Sequence, residues 1–568
     1  MGSRSSGVDV HPAWVQWLVP SVGDLIFVAL LGLLVLTNLS VRLLGDAGIG
    51  WHIRTGQLIL ATHAIPRADP FSSAITAAIS PITAGSPWFA WEWLYDVLVG
   101  WLESAAGLNG VVLFTALIIA GLFSWTFRLL LRRGTNVFVA LILVLLAASA
   151  AMIHFLARPH VVSWLFTVVW FWILESSEKG CAGFPSDSSD SRAAYAAKDG
   201  RGRRLWLLPL LMLVWVNVHG GFLVGFVFLA IYWFSAVWQW FRLKGVRFEE
   251  VLRKIRAGKR VRALAFTGIL SALATFANPY GWRLHVHIYR YLSNRFLMDH
   301  IDEFQSPNFH YVAQKCFAGL LLLTLVALAT KRRKTQASET GVSPALVVLF
   351  AVYSGLYASR NIPVSSLLLI LLIGPRLSDA MESLAEKLAD RRIAVRWRGM
   401  ASTQFLQRME AIEQTLRGHL WPIAAIMLTC WVAAHGGKLG ATPLMDAHFD
   451  GKRFPVAGVN YLEKQDVQGP LLSPDYWGGY LIYRLYPRVK VVVDDRHDFY
   501  GEEFLKSYLK MVRVEPGWEE FLQQHQAHCV IVPKDSALAN IIAETPGWQP
   551  IYRDDVAAVF VRAPARRD

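Results

Sequence analysis

Long apolar runs separated by short polar stretches dominate the chain. A helix that crosses a bilayer needs about 20 consecutive, mostly apolar residues. Runs of this character recur at 22–42, 110–131, 136–156, 160–175, 205–218, 221–241, 263–277, 316–330, 343–359, 362–375 and 419–435. The pattern therefore predicts an α-helical, polytopic membrane protein with about eleven transmembrane helices.

Two segments decide how the spans are counted. The run from Leu25 to Val41 is longer than the core of a signal peptide, and no small-residue cleavage pattern follows it, so we expect a retained first helix. The segment from Trp88 to Leu102 is apolar and rich in tryptophan but carries Glu92. Because indole rings favour the headgroup region, this segment predicts an interfacial helix rather than a span.

The basic residues indicate the orientation of these helices. With the N-terminus in the cytoplasm, about 30 Lys and Arg fall in cytoplasmic loops and about nine in loops on the outer side. Counting 88–102 as a span would invert every later loop and remove this bias. The basic stretches lie at 128–133, 200–204, 242–262, 331–334 and 376–418. We predict a multi-pass protein of the cytoplasmic (inner) membrane.

This orientation divides the chain into three parts. Residues 1–21 form a cytoplasmic N-terminus, and residues 22–435 form the transmembrane domain. That domain has a large first outside loop at 43–109 and a flexible, low-complexity cytoplasmic loop at 177–204. Residues 437–568 return to a globular composition and predict an extracytoplasmic α/β domain. Its expected strands are 489–495, 529–533 and 556–562, and its expected helices are 502–513, 518–526 and 535–544.

Composition and charge exclude other classes of protein. The 568 residues are 54% hydrophobic and include 23 Trp, more than the core of a soluble protein of this length needs. The net charge of +14 fits basic cytoplasmic loops, and no nucleic-acid-binding module is visible. The four cysteines show no C-x-x-C spacing, which indicates neither a metal site nor a disulfide framework.

Polar residues near the membrane fall on the outer side in this topology. Ionisable groups at membrane depth cost free energy unless they pair or line a wet cavity. Their collection at one face predicts a polar site just above the bilayer. The residues are Asp46, His52, Arg54, Asp69, Glu92, Arg158, His160, Asn217, His219, Asn278, Glu303, Arg360 and Asn361.

Most of these residues also have an ordinary structural explanation. A lone His219 is typical of a helix cap or turn. Arg158 and Arg360 are equally compatible with guanidinium groups that reach lipid headgroups, and Asp69 precedes a proline in a turn-like sequence. Asp46 stands at the exit of the first helix with few basic residues near it in sequence, which favours a functional role.

The stretch GDAGIGWHIRTGQLILATHAIPRADPFS, which begins at Gly45, resembles the first outside loop of GT-C membrane glycosyltransferases. This superfamily includes oligosaccharyltransferase catalytic subunits, protein O-mannosyltransferases and lipid A aminoarabinose transferases. Those proteins place an acidic residue after the first helix, then an aromatic and basic helix, then a G-x-x-P-x-x-D-P-like turn. Asp46, the 51–54 segment and the 66–70 segment take these places here. The architecture is similar over most of the chain.

The resemblance implies a glycosyltransferase with a polyprenyl-phosphate-linked sugar donor, a lipid, glycan or protein acceptor, and membrane lipids around it. Asp46 would be the catalytic residue, acting as a general base on the acceptor. The implied substrate-binding residues are His52, Arg54, Asp69, Glu92, Arg158, His160, His219, Glu303 and Arg360, with the three arginines as phosphate contacts. Some members hold a divalent cation, Mg²⁺ or Mn²⁺, for which Asp46, Asp69, Glu92 and Glu303 are candidate ligands.

Two further motifs lie in the C-terminal region. SPDYWGGYLIYRL (473–485) resembles the acceptor-binding WWDYG region of oligosaccharyltransferases, although its Trp follows its Asp-Tyr pair. The simpler interpretation is a turn closed by its two glycines before a helix. DDRHDFYG (494–501) is either a site or a charged turn.

A second class of function fits the same topology. A transporter or flippase of lipid-linked sugars, or a non-catalytic protein of the same fold, would also be multi-pass. Secondary transporters usually show internal repeats and broken helices at mid-membrane. No convincing repeat is visible, and the polar residues gather at one face, which favours surface chemistry.

Overall fold

The computed structural model describes residues 13–73, 88–182, 204–243, 248–330, 342–390, 409, 412, 413, 415, 416, 418–465, 467 and 469–563. Several sequence-based expectations lie wholly or partly outside the described residues. They include the N-terminal residues 1–12, residues 74–87 of the first outside loop, residues 183–203 of the loop predicted to be flexible, the basic stretch at 331–334, and residues 391–408 of the basic stretch at 376–418. The described chain is mainly helical before residue 436 and mixes helices and strands after it.

The first part of the chain is a bundle of helices. They are α1 (Ala13–Leu18), α2 (Val22–Leu36), α3 (Leu39–Leu43), α4 (Gly48–Thr62), α5 (Trp93–Arg132), α6 (Val137–Ala151), α7 (His160–Ala182), α8 (Leu207–Trp215), α9 (Leu223–Arg242), α10 (Phe248–Ala274), α11 (Trp282–Ser293), α12 (Arg295–His300), α13 (Val312–Ala329), α14 (Ser343–Tyr357), α15 (Ile362–Asp390) and α16 (Leu420–Ala434). Apart from α1 and α12, these helices contribute buried side chains to one continuous apolar core.

Ten helical segments of the described chain are apolar enough to be considered as spans. Seven have the length and composition to cross a membrane: Gln16–Leu36, Trp93–Arg132, Val137–His154, His160–Glu178, Gly220–Arg242, Val312–Ala329 and Ser359–Leu384. Three are shorter: Arg204–Trp215, Ser343–Tyr357 and Leu420–Ala434. Each overlaps a predicted span, while the predicted span at 263–277 overlaps the end of α10. The count of about eleven stays a prediction.

Helix α2, which lies in the first predicted span, is shorter than its apolar run. It ends at Leu36, and α3 begins after a two-residue break. The Thr37 hydroxyl donates to the carbonyl oxygen of Leu33 (2.5 Å) and accepts from the amide of Leu39 (3.2 Å). A hydroxyl that competes for backbone hydrogen bonds in this way favours a helix end, so one threonine stops a run that hydrophobicity alone would continue.

The tryptophan-rich segment continues directly into the next apolar helix. α5 starts at Trp93, and only Ala106 and Gly107 within it have non-helical backbone angles. Gly107 has a φ of +62°, a conformation that glycine adopts without strain. This kink separates the part from Trp93 onward from the apolar part after Gly107. The interfacial position of the first part stays a prediction.

The C-terminal region is a small α/β unit. Its helices are α17 (Val456–Lys464), α18 (Asp475–Leu485), α19 (His497–Tyr500), α20 (Glu502–Val512), α21 (Trp518–Gln524) and α22 (Ala537–Glu544), and its strands are β1 (Lys438–Leu439), β2 (Thr442–Pro443), β3 (Leu471–Leu472), β4 (Cys529–Pro533), β5 (Trp548–Arg553) and β6 (Ala557–Arg562). The larger sheet has the order β3-β4-β6-β5, with β3 parallel to β4 and the other pairs antiparallel.

The alternation of side chains along β4 explains how this unit packs. Val530 and Val532 enter a core made with α20, α21 and α22, whereas Cys529 and Ile531 enter the core that is continuous with the helical bundle. Successive side chains of a strand point to opposite faces of a sheet. The sheet is therefore covered on both faces, and one of them faces the bundle.

The predicted strand at 489–495 is present only as an extended segment with isolated bridges. Val491 pairs with Leu471 on one side and with Ser72 of the first loop on the other. The amide of Val491 donates to the carbonyl of Phe71 (3.2 Å), and the amide of Ser73 donates to the carbonyl of Val491 (2.9 Å). The first loop thus extends the sheet of the C-terminal unit, which the sequence pattern does not reveal.

Helices α4 and α18, which come from distant parts of the chain, touch through glycines. A Cβ atom on Gly50 would collide with the carbonyl group of Gly479, and one on Gly479 would collide with that of Ala47. Only glycine, which has no Cβ atom, allows two backbones to approach this closely. The glycines of SPDYWGG lie inside α18, which begins at Asp475. The interpretation of this motif as a turn before a helix is therefore wrong.

Gly479→Ala is expected to force α4 and α18 apart and lower the free energy of unfolding by about 1 to 3 kcal/mol, because the added methyl group meets backbone rather than a flexible side chain. Gly32→Ala in α2 is the matched control, since a Cβ there meets nothing within 4 Å and alanine is the better helix former. Thermal unfolding of both purified variants measures the difference. Equal unfolding temperatures would contradict the close packing.

Candidate functional site

A cavity of about 880 Å³ lies where the first loop, the ends of several apolar helices and the C-terminal unit meet. It brings together side chains that are far apart in sequence. Of the ten residues implied to be catalytic or substrate-binding, seven line it: Asp46, Glu92, Arg158, His160, His219, Glu303 and Arg360. His52, Arg54 and Asp69 do not line it.

Arg158 stands at the centre of three carboxylates in this cavity. Its Nη1 donates to Asp46 Oδ2 (3.1 Å), and its Nη2 donates to Asp495 Oδ2 (2.8 Å). Glu303 Oε1 lies 3.9 Å from Nη1. Although burial opposes ionisation, these carboxylates raise the pKa of Arg158. The guanidinium is therefore a fixed positive charge.

Short backbone elements place Arg158 and its carboxylates. Arg158 lies in the turn before α7, and the amide of its neighbour Ala157 donates to the carbonyl of Leu43 (2.7 Å). Asp46 Oδ1 accepts from the amide of Gly48 (2.7 Å), at the start of α4. A side chain that hydrogen-bonds the backbone two residues on is typical of Asp before a helix. The exit of the first helix and the 157–159 turn are thus held together.

Four polar side chains form a second group, the Glu92 cluster: Glu92, His52, Asp96 and His219. His52 Nδ1 and Asp96 Oδ1 are 2.5 Å apart. The Glu92 carboxyl oxygens lie 3.7 Å from His52 Nε2 and 3.8 Å from His219 Nε2. Asp96 Oδ2 is buried and has no hydrogen-bond partner among the described residues. His52 does not line the cavity but contacts Glu92 and Asp96, which do. Its predicted contact with substrate is therefore indirect.

Burial determines the charge state of the Glu92 cluster. It raises the pKa of Glu92 to about 8. Burial, together with the charge of Arg158, lowers the pKa of His52 well below its usual value. At neutral pH the carboxyl group of Glu92 is therefore mostly protonated and the His52 ring is neutral. Their contact joins two neutral groups, and Glu92 offers the cavity a proton.

The raised pKa of Glu92 predicts a pH-dependent stability. The folded protein holds this proton up to about pH 8, whereas the unfolded chain releases it near pH 4.5. The free energy of unfolding should fall as the pH rises between these values, by at most about 1.4 kcal/mol per pH unit. Glu92→Gln should remove that slope. Unfolding temperatures from pH 5 to pH 8 measure it, and Glu463→Gln, which removes a partly exposed carboxylate, is the control. Parallel curves for wild type and Glu92→Gln would contradict it.

Arg360 and Glu303 face the cavity from another side. Burial alone would raise the pKa of Glu303, but the guanidinium groups of Arg360 and Arg158 lower it to about 2. Glu303 is therefore ionised. Among the described residues, no carboxylate lies within ion-pair distance of Arg360, whose guanidinium lies 4.6 Å from the ring centroid of Phe304. Arg360 is the cavity's least neutralised predicted phosphate contact.

The segment DDRHD (494–498) supplies cavity residues that the predicted site did not include. Asp495, Arg496, His497 and Asp498 line the cavity. His497 Nε2 lies 2.8 Å from Asp475 Oδ2, so a histidine and aspartate pair forms part of the cavity lining. The segment therefore forms part of the cavity wall, and its role as a site stays a prediction. The signal was five consecutive ionisable residues directly after an apolar run.

Asp69 acts on the site through Arg496. Its Oδ1 accepts from Arg496 Nη1 (2.8 Å), and its other oxygen accepts from the amide of Ser72 (2.9 Å). Arg496 is 2% exposed, and Asp494 binds it through both carboxylate oxygens. The guanidinium also lies 4.8 Å from the ring centroid of Trp88. Asp69 thus holds the first loop against the C-terminal unit and does not reach the cavity.

Arg54 lies away from the cavity. Its Nε donates to the carbonyl oxygen of Tyr483 (2.8 Å), and its Nη2 donates to the same atom. The guanidinium is 5.4 Å from the Tyr483 ring centroid. Because Arg54 joins α4 to α18 through these contacts, its geometry gives it a structural role instead of the expected contact with a substrate phosphate.

The candidate metal ligands do not converge. In the part of the chain that the structure describes, no three His, Cys, Asp or Glu side chains are close enough together to hold a metal ion. Asp46 and Glu303 surround Arg158, while Asp69 binds Arg496. Glu92 lies between two imidazole rings. The residues as placed therefore do not fit a divalent cation.

The fold can be compared with known proteins at this point. No protein-family model matches the sequence, and no curated protein matches it. Its structure is similar to the crystal structure of the Archaeoglobus fulgidus oligosaccharyltransferase tethered to an acceptor peptide with the NVT sequon. The TM-score is 0.50, with 13% identity, over 96% of this chain and 74% of that chain. The chain has the GT-C fold.

The GT-C fold and the apolar helices agree with each other. Together they make the chain a multi-pass membrane protein with a C-terminal α/β unit. The fold expected from the first loop and from the order of elements is thus confirmed. At 13% identity the likeness concerns the fold, so the chemistry has to be argued from the residues of this cavity.

Proposed function

We propose that this protein is an integral-membrane glycosyltransferase that moves a sugar from a polyprenyl-phosphate-linked donor to an acceptor. The observation that carries the proposal is the cavity itself. It combines the carboxylate of Asp46 with the guanidinium groups of Arg158 and Arg360 at the ends of apolar helices. We place this chemistry on the outer face of the cytoplasmic membrane, because the basic loops belong on the cytoplasmic side.

The lining of the cavity suits a donor with one lipid end and one charged end. Leu223, Val224 and Val364, from apolar helices, line it together with the polar groups. An isoprenoid tail would remain beside these helices, since its transfer to water is unfavourable. Its phosphate would reach Arg360, because a guanidinium binds phosphate through parallel hydrogen bonds.

Asp46 is the proposed catalytic base. Its two oxygens are oriented by Gly48 and Arg158. The acceptor oxygen or nitrogen attacks the anomeric carbon, while the bond from that carbon to the phosphate oxygen breaks. Asp46 takes the proton of the acceptor, and the phosphate leaves with the bonding electron pair. The positive charge of the arginines offsets the charge that develops on the phosphate.

The acceptor would approach along the wall that the C-terminal unit provides. Asp475, Tyr476 and His497 line this wall, and Tyr476 is 55% exposed. These groups can form hydrogen bonds with hydroxyl or amide groups, which fits a lipid, glycan or protein acceptor.

Mass spectrometry of surface glycans and lipids tests the proposal. Cells that make the protein should carry a glycosylated product that is missing when the gene is removed and that returns with the wild-type chain. Identical glycan and lipid profiles would contradict the enzyme. If the purified protein instead moves a lipid-linked sugar across a vesicle membrane without forming a new glycosidic bond, it is a flippase.

A further inference from the structure

We propose that Arg158 takes the place that a divalent cation would hold among Asp46, Asp495 and Glu303, and that this site works without a metal ion. The catalytic half of this inference rests on the proposed function. The metal-binding half concerns only the geometry of the cavity and can be tested on its own.

The guanidinium bridges the carboxylates as a central cation would. Each of its terminal nitrogens binds a different carboxylate, at 3.1 Å for Asp46 and 2.8 Å for Asp495. The third carboxylate, Glu303, is 3.9 Å from Nη1. Three acids from distant parts of the chain thus share one cation. Hard cations use carboxylate oxygens in the same way, but here the cation is part of the chain.

The oxygens of Asp46 and Asp495 are already engaged. Asp46 uses one oxygen for the amide of Gly48 and the other for Arg158. Asp495 uses one oxygen for the indole nitrogen of Trp51 (2.9 Å) and the other for Arg158. A metal ion would have to displace the guanidinium to bind here. That displacement would separate the partly buried guanidinium from the carboxylates that neutralise it, which is unfavourable.

A second arginine, Arg360, adds a positive charge to the same cavity. Arg360 lines the same cavity as Arg158 and Glu303, and its guanidinium lies 4.6 Å from the ring centroid of Phe304, the neighbour of Glu303. The two guanidinium groups together carry the formal charge of one divalent cation. Unlike a metal ion, the guanidinium groups are planar and donate hydrogen bonds in a geometry that fits the oxygen atoms of a phosphate.

Arg158 still has donors for a phosphate oxygen. A guanidinium carries five N–H groups, and Arg158 makes one hydrogen bond from each of Nη1 and Nη2 to the described residues. Its Nε has no hydrogen-bond partner among those residues. The same side chain can therefore orient Asp46 and meet the phosphate that leaves when its bond to the anomeric carbon breaks. No further co-reactant is needed for this step.

Electron paramagnetic resonance tests the metal-binding half of the inference. The purified full-length protein is first treated with EDTA to remove bound metal, and the binding of added Mn²⁺ is then measured. The wild type should show no Mn²⁺ site that depends on Asp46 or Glu303. Arg158→Ala should gain one site, because it frees three carboxylates. Arg158→Ala combined with Asp495→Asn should lack that site. Arg453→Ala, which removes another guanidinium from the cavity lining, is the control and should gain none.

Two outcomes would overturn the inference. One is a wild-type Mn²⁺ site that Asp46→Asn abolishes, and this arm needs no change at Arg158. The other is a folded Arg158→Ala variant, as judged by size-exclusion chromatography, that binds no Mn²⁺. If Arg158→Ala does not fold, the wild-type arm decides.

Transfer assays separate this inference from the proposed function. Transfer from a polyprenyl-phosphate-linked sugar should be unchanged by EDTA, whereas loss of an essential cation would lower the rate at least about 100-fold. Transfer that stops in EDTA and returns with Mg²⁺ or Mn²⁺ would refute the inference and leave the function standing. Absence of transfer from every donor offered would refute the function and leave the Mn²⁺ result as it is.

Discussion

Asp46→Asn is expected to abolish sugar transfer while folding and membrane insertion persist. The amide has the shape of the carboxylate but cannot take the acceptor proton, and general-base assistance is worth about 10² to 10⁴ in rate. Asp46 is partly exposed at the cavity, so its loss of charge should cost about 1 kcal/mol of stability or less. Transfer from a polyprenyl-phosphate-linked sugar, measured in membranes, gives the rate.

Asp446→Asn is the matched control for this change. Its side chain is 85% exposed and does not line the cavity. It should transfer sugar at the wild-type rate. If Asp46→Asn also did so, Asp46 would not be the base, and the histidine and aspartate pair formed by His497 and Asp475 would become the next candidate.

Arg496→Ala is expected to destabilise the protein more than any other single change at the site. The guanidinium is 2% exposed and neutralises Asp494 and Asp69, which are also buried. Removing one partner of a buried ionic group leaves an uncompensated charge and costs about 3 to 5 kcal/mol. Thermal unfolding of the purified protein measures this loss.

Arg484→Ala is the control for Arg496→Ala. Arg484 pairs with Glu463 at a position where both side chains are a quarter or more exposed, and such pairs contribute about 1 kcal/mol or less. Adding Asp69→Asn and Asp494→Asn to Arg496→Ala should recover part of the loss, because the stranded charges are then gone. Equal destabilisation by Arg496→Ala and Arg484→Ala would contradict the buried network.

Hydrophobicity was enough to predict the helical architecture, because each span must be apolar along most of its length. The positions where the chain turns were harder. The break after Leu36 coincides with one hydroxyl group, that of Thr37, which forms hydrogen bonds with backbone atoms. The kink at Ala106 and Gly107 is a backbone conformation that composition does not indicate. Likewise, the pairing of Val491 with Ser72 joins residues more than 400 positions apart, and no local pattern reports such a contact.

The local sequence indicated which way some of the site residues face but not others. The position of Asp46 after the first helix pointed to the cavity that it lines. Arg54 and Asp69 are also ionisable and lie in the same loop as Asp46, yet their contacts with Tyr483 and Arg496 hold them away from the cavity. Which way a charged side chain faces depends on its partners in the folded chain. The importance of Asp495 and Arg496 could not be ranked for the same reason.

The contact between the 71–73 segment and Val491 also bears on how the protein is made. The first loop is synthesised early, whereas its partner strand emerges only near the end of translation. A nascent or truncated chain that stops before residue 490 would have its helices but lack Asp495 and the wall around it. Such a chain should enter the membrane without a complete cavity.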